Sequence, residues 1–404
     1  MIICSWHRRD LNEGHIRQAQ LAQLKWLGGL VCAALTILAA CGATPAAQPS
    51  SPSTPVSTKP AGSASAKVNS TSASAATAKP SAGAVTSVAG ASGQSTVNVA
   101  VFGGSADSGV YIAEGRGYFK DVGLTIKFAE NLGGNQMIPF LASGQLDVGG
   151  AAAGAAFYNA VNSGVNVKIV ADKGRLSPGQ AYEGLVVRKD LVGTIKSFAD
   201  LKNKKVAIFS KANIDEVLLS DGLKTGNLTL KDVDIQEMPD ADMVSALTNK
   251  SIDAAMLVEP FISRVQSAGI GALLENYDRI SPNHQVGVLY YSPKFIANKT
   301  AAQNFMVAYV RGLRDYNDAF VKNKNRAATV DLLTKYTTVK DPKVWAEAIS
   351  PGLNPDGALD MKSLASDAQY YLGQGFLKQK VDLNQIVDNS FVDYAVGKLG
   401  KYTQ

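Results

Sequence analysis

The sequence predicts an α/β protein of two lobes, each a mostly parallel sheet flanked by helices, with two crossing strands as a hinge. Three observations carry this. From Val97 onward, short apolar runs alternate with amphipathic stretches of about ten residues, the pattern of strands and helices laid down in turn. One phrase is written twice: IPFLASGQLDVGG over Ile138–Gly150 and VSALTNKSIDAAM over Val244–Met256. Before Val97 the composition changes so sharply that this part of the 404 residues cannot join the same core.

In chain order, VNVAVFG (97–103) reads as a strand and SGVYIAEGRGYF (108–119) as a helix with Gly117 near its end. LTIKFAE is a strand, NQMIPFLASG a helix, LDVGGAA a strand, AAFYNAVNSG a helix and VKIVAD a strand. GLVVRKD (184–190) is extended and apolar and reads as the first crossing strand. KKVAIFS, VDIQEMP and IDAAMLVEP then read as strands, with NIDEVLLSDGLKTG, ADMVSALTNK and FISRVQSAG as helices around them. HQVGVLYYSPKFI reads as the returning strand. From about Thr300 the chain is helical, and Phe305, Ala308, Tyr309, Leu313, Tyr316 and Phe320 form an apolar stripe that packs into the core. The first lobe is expected over 97–187 and 288–404, taking the C-terminal helices, and the second over 188–287.

The duplicated phrase fits this scheme. In each copy a helix ends at a turn, Ser143-Gly144 or Asn249-Lys250, and a strand follows an aspartate. Asp147 and Asp253 stand at strand entry, where a carboxylate accepts hydrogen bonds from exposed backbone N–H groups. Two similar lobes would each offer a crevice beyond the carboxyl ends of their strands.

The N-terminus has the pattern of an address. Arg8, Arg9, Arg17 and Lys25 precede an apolar run from Trp26 to Ala40, of secretory-signal length and short for a membrane span. It ends in Leu38-Ala39-Ala40-Cys41, which resembles the bacterial lipobox. That resemblance implies a signal peptide over 1–40, cleavage before Cys41, and a lipid on Cys41. Residues 41–96 are almost all Ala, Ser, Thr, Pro, Gly and Val and are expected to be a disordered tether. As a flexible coil it would span roughly 40 Å.

Composition excludes several classes. The net charge is +6 with no long Lys/Arg run, so no nucleic-acid partner is expected. Beyond Cys41 there is no Cys and one His, His284, which removes a disulfide framework and Cys/His zinc sites and leaves thin grounds for a catalytic triad. No metal, cofactor or catalytic residue is expected.

The segments GVYIAEGRGYFKDVGLTIKF, LASGQLDVGG, SFADLKNKKVAI, ALTNKSIDAAMLVEPF and FMVAYVRGLRDYNDAF resemble substrate-binding lipoproteins of ABC importers, in the subgroup for nitrate, taurine, aliphatic sulfonates and thiamine-pathway pyrimidine precursors, with riboflavin-binding relatives. The resemblance spans Val97 to Gln404. It implies the two-lobed type II periplasmic-binding architecture, no catalysis, a small-molecule ligand, an ABC permease with its ATPase as partners, and a monomer on the outer face of the cytoplasmic membrane or in the periplasm.

The ligand is expected on loops that follow strands. Ser105, Asp107 and Ser108 lead into a helix carrying Tyr111; Ser108 also suits an N-cap. Asn135 and Gln136 offer amide groups, and Ala152 sits in a run of small residues that lets backbone approach a ligand. Tyr182 precedes the first crossing strand. In the second lobe Ser210, Asn213 and Glu259 are the counterparts, with helix capping an equally open role for Glu259. Acids at 107 and 259 disfavour a bare inorganic anion. The reading is a small polar organic ligand, sulfonate- or taurine-like or a heteroaromatic vitamin precursor. A ligand-sensing surface lipoprotein, or a pyrimidine-precursor synthase on the same fold, are the alternatives; the synthase's Cys-rich motif is missing here.

Overall fold

The computed structural model describes residues 95–129, 132–337, 340–348 and 350–403. The expected signal peptide, Cys41 and most of the expected tether lie outside the described residues.

The first stretch runs β1 (Ser95–Ala100), α1 (Ser108–Gly115), α2 (Tyr118–Asp121), β2 (Leu124–Ala129), α3 (Gly134–Ala142), β3 (Val148–Ala151), α4 (Ala155–Asn162) and β4 (Lys168–Arg175). The second runs β5 (Glu183–Arg188), β6 (Lys205–Ile208), α5 (Ile214–Thr225), β7 (Asp234–Glu237), α6 (Asp240–Thr248), β8 (Ala254–Val258), α7 (Phe261–Ser267) and β9 (Gly271–Asn276). The chain ends with β10 (Gln285–Tyr291), α8 (Pro293–Ala297), α9 (Lys299–Phe320), α10 (Arg326–Tyr336), α11 (Pro342–Glu347), α12 (Met361–Gly373), α13 (Leu383–Ile386) and α14 (Ser390–Leu399). The single helix expected over 108–119 is two, because Gly117 takes a left-handed φ of 76° that breaks the hydrogen-bond ladder. Strand β1 begins at Ser95, inside the segment expected to be tether.

Two sheets form, in the order β2-β1-β3-β10-β4 and β7-β6-β8-β5-β9. Each has three parallel strands, then one antiparallel strand, then a last strand. The antiparallel member is the one laid down out of turn: β10 returns to the first sheet and β5 opens the second. Residues 184–188, read as a crossing strand closing the first lobe, therefore belong to the second sheet, where β5 pairs with both β8 and β9. Likewise β10 starts at Gln285, before the expected boundary at 288. The crossings are the segments between β4 and β5 and between β9 and β10. They hold each other: Leu176 N–H donates to His284 O at 2.9 Å, and Asn283 N–H donates to Leu176 O at 2.7 Å.

The repeated phrase has a repeated structure. Asp147 Oδ2 accepts Asn98 N–H at 2.9 Å, and Asp253 Oδ2 accepts Lys205 N–H at 2.9 Å. Each aspartate thus ties the entry of β3 or β8 to the parallel neighbour β1 or β6. The preceding turns place Gly144 at φ 71° and Lys250 at φ 64° in the same left-handed position.

One core, on the outer side of the first sheet, is built from α1, α9 and α14. The α9 stripe residues Phe305, Ala308, Tyr309, Leu313 and Tyr316 are all buried there. A second core continues through both lobes. Tyr371 of α12 packs 6.1 Å from Tyr158 of α4, while the neighbouring Tyr370 hydroxyl donates to Glu216 of α5 at 3.1 Å. So α12 spans both lobes, whereas the C-terminal helices were expected on the first alone.

Helices α1 and α9 touch backbone to side at Gly312: a Cβ there would stand 2.1 Å from Gly109 O. Gly312→Ala should lower stability by about 1–3 kcal/mol, since overpacking against a fixed carbonyl outweighs the helix-propensity gain. Thermal unfolding of the variant checks this; an unchanged or higher Tm would mean the two helices slide apart freely.

Candidate functional site

The loops after β1 and β3 meet those after β6 and β8. Ser105 N–H donates to Glu259 O at 3.1 Å, and Ala155 N–H donates to Ala212 O at 2.9 Å, both from the first lobe to the second. The rings of Phe102 and Phe209 meet edge to face at 4.9 Å. The lobes are closed on each other around a cavity of about 60 Å³.

Apolar walls come from Phe102, Phe209, Ile214, Val258 and Val286. The polar residues lining it are Ser105, Lys173, Tyr182, Glu183, Asn213, Asp215 and Asp240. Lys173 is the single cation among them, and it is already engaged. Its Nζ lies 2.8 Å from Asp107 Oδ1, with both side chains buried. Asp107 Oδ2 accepts the N–H groups of Gly103 at 2.7 Å and Gly104 at 3.2 Å, so the loop after β1 fixes the anion that fixes the lysine. Gly150 makes room for this: a Cβ there would be 2.4 Å from Lys173 Cε.

Three carboxylates remain. Glu183 is 1% exposed, and neither of its oxygens has a hydrogen-bond partner. Burial first, then the charges of Asp215 and Asp240, hold its pKa well above the ordinary carboxylate range. Asp215, in the first turn of α5, is pushed up to about 7 by burial and by Asp240. Asp240, at the start of α6, is pushed up to about 7 by burial, against the pull of Val258 N–H at 3.3 Å. The Ser105 hydroxyl is also buried without a partner.

Four of the residues singled out from sequence line this cavity: Ser105, Ala152, Tyr182 and Asn213. Asp107 stands behind it, holding Lys173. Ser108 is the first residue of α1, not its N-cap, and its hydroxyl donates to Ser105 O at 2.5 Å. Tyr111 is on the far side, stacked on Tyr336 at 5.3 Å in the outer core, because α1 turns that face away from the cleft. Gln136 and Ser210 line an outer groove with Phe209, Glu237 and Met238. Asn135 lies in the first turn of α3, and its side chain is outside the described part. Glu259 is buried with its carboxylate turned onto Ser263: Oε1 accepts the hydroxyl at 2.9 Å and Oε2 the N–H at 3.0 Å. Its carbonyl reaches across the cleft to Ser105 N–H. Lys173, Glu183, Asp215 and Asp240 were not selected from sequence. The usable signal was a charged residue in or beside an otherwise apolar strand, as in IVADKGR and EGLVV.

A family model described as NMT1/THI5 like matches residues 106–318. The chain belongs to this family. Among curated relatives, a candidate aliphatic sulfonates-binding protein of Bacillus subtilis (strain 168) is 24% identical over 303 residues, covering 72% of this chain and 85% of that one. Solved structures share the NMT1/THI5-like chain's fold. The alkanesulfonate-binding protein SsuA from Xanthomonas axonopodis pv. citri, bound to MOPS, superposes with TM-score 0.59 at 19% identity, over 73% of this chain and 99% of that one. The periplasmic nitrate-binding protein NrtA from Synechocystis PCC 6803 gives 0.60 at 14% identity, over 76% and 89%. The desulfurization enzyme DSZB gives 0.55 at 14% identity, over 76% and 99%. The two-lobed architecture expected from the sequence is thus the architecture found.

Proposed function

We propose that this chain is an extracytoplasmic solute-binding lipoprotein that closes its two lobes on a small polar organic molecule and presents it to an ABC importer. The observation that carries the reading is the cavity itself: strand-end loops of both sheets wall it, and hydrogen bonds join the two lobes beside it. Membership of a family with binding-protein relatives agrees. Ligand bridging both lobes favours the closed state by its differential affinity, and the permease and its ATPase read the closed surface. Residues 1–40 serve as signal, Cys41 carries lipid and the segment up to β1 at Ser95 is the leash, which places the protein, as a monomer, on the outer face of the cytoplasmic membrane or in the periplasm. Lobe one takes the first sheet and the C-terminal helices apart from α12, which spans both lobes, and lobe two takes the second sheet.

The fold is shared with an enzyme, yet no Cys or His lines this cavity, and its hydroxyls are those of Ser105 and Tyr182. Binding therefore fits the lining better than turnover. A sensor that closes in the same way would differ only in what reads the closed surface.

Thermal shift on the full chain with taurine, alkyl sulfonates, nitrate, pyrimidine precursors, riboflavin and organic amines should give at least one compound that raises Tm. At a hundredfold excess over Kd the gain is about 2.7 kcal/mol. Small-angle scattering with that compound should then show a smaller radius of gyration than without it. A compound that stabilises but leaves the scattering unchanged would sink hinge closure as the mechanism.

A further inference from the structure

We infer that the cavity selects a small organic cation rich in N–H donors, such as an amine, an amidine or a protonated amino-heteroaromatic ring, and excludes sulfonates and other oxyanions. This rests on the binding reading above and names the ligand's charge.

The charges that line the cavity do not balance. Lys173 and Asp107 cancel each other at 2.8 Å. What is left lining the cavity is Glu183, Asp215 and Asp240, with no further cation. Asp215 and Asp240 keep partial local satisfaction from backbone N–H groups. Glu183 has none: it opens β5, is buried, and both oxygens lack a partner. A buried carboxyl without a partner is costly unless something supplies donors. The protein supplies none, so the donors come from the occupant. An oxyanion could enter this low-dielectric space only by holding all three acids protonated, and the one lysine able to meet it is spoken for. The described residues hold no cluster of three or more metal-ligating groups, which points away from a bare metal ion. Phe102, Phe209 and Tyr182 also line the cavity, and the face of an aromatic ring attracts a cation.

The burial that holds the three acids partly protonated when the cavity is empty also predicts a signature. A cation entering should ionise them, so binding should release protons into the buffer.

The test is titration calorimetry of the full chain, at neutral pH, in two buffers of different ionisation enthalpy. The probes are benzamidinium, methylguanidinium, putrescine and 4-aminopyridinium, with uncharged benzamide and the anions benzenesulfonate and methanesulfonate. At least one cation should bind roughly tenfold or more tighter than benzamide, with proton release, and the sulfonates should not bind. Glu183→Gln should weaken that cation about tenfold or more, and Asp240→Asn should weaken it in the same direction. Neither variant should lower the Tm of the empty protein, which separates lost charge from lost folding. A sulfonate that binds more tightly than every cation would overturn the charge assignment and leave the binding reading standing. Failure of all the cations while riboflavin or a neutral pyrimidine binds would do the same. If nothing binds at millimolar concentration, both readings fall.

Discussion

The unliganded protein is expected to lose a few kcal/mol of stability as pH rises from about 5 to about 7. Asp215 and Asp240 ordinarily titrate near 3.8, and in the folded chain both are pushed up to about 7. Between those values the folded state holds protons that the unfolded chain has released, so raising pH favours unfolding across that window. A rise from 3.8 to about 7 corresponds to about 4 kcal/mol for one such group. Asp215 and Asp240 feel each other, so their contributions overlap. Glu183, Asp172 and Asp367 are raised by burial and push the same way. His284 is raised overall. Desolvation lowers it, but the Asp367 partner at 2.8 Å outweighs that, so its contribution is full below its ordinary value and lost as pH climbs through the raised one. The surface aspartates Asp190, Asp200 and Asp232 are lowered by local hydrogen bonds; their contribution is present above 3.8 and disappears only in stronger acid. Maximum stability should therefore lie on the acid side of neutrality. Urea unfolding at several pH values, with the midpoint followed by circular dichroism, measures this. A midpoint that is flat or rises from pH 5 to 7 would mean the cleft acids are ionised and hydrated in the empty protein. Asp215→Asn with Asp240→Asn should flatten the slope and raise stability at neutral pH, the pattern of a binding site that holds destabilising groups for its ligand.

Much of this fold was legible because it rests on local rules. Asp147 and Asp253 sit at equivalent strand entries, and the same hydrogen bond appears in both lobes. The α9 stripe was legible for the same reason: its spacing alone marks its buried face. What was not legible depends on pairing at a distance. Nothing local tells that residues 184–188 insert between β8 and β9, because an apolar extended run suits a crossing and a central strand equally. The site divides along the same line. Loop position after a strand picked out Ser105, Ala152, Tyr182 and Asn213, which line the cavity. It could not find Lys173, whose side chain enters the cavity only because Gly150 beside it has no Cβ. Nor could it choose between the two roles open to Glu259, which Ser263 four residues on decides in favour of the helix. Tyr111 was misplaced because loop position says nothing about which face α1 turns outward.

Breaking the Lys173–Asp107 pair should be the most costly single change at the cleft, and its two halves should not cost the same. Lys173→Met keeps the aliphatic volume beside Gly150 but leaves Asp107 buried without its cation. Removing one partner of a buried pair typically costs about 3–5 kcal/mol. The N–H groups of Gly103 and Gly104 still hold one oxygen of Asp107, which places the loss toward the low end. That corresponds to a Tm lower by roughly 5 °C. Asp107→Asn removes the anion instead, but the freed ammonium shares the cavity with Glu183, Asp215 and Asp240. Those acids can take up its charge, so Asp107→Asn should destabilise less. It should also neutralise part of the acidic lining, and binding of a small cation should weaken while a sulfonate gains a lysine to meet it. Thermal unfolding of both single variants and the double variant gives the coupling energy. Equal costs for the two halves, with no change in ligand preference for Asp107→Asn, would mean that Lys173 answers to Asp107 alone and that the three carboxylates do not act on the cavity as one charged wall.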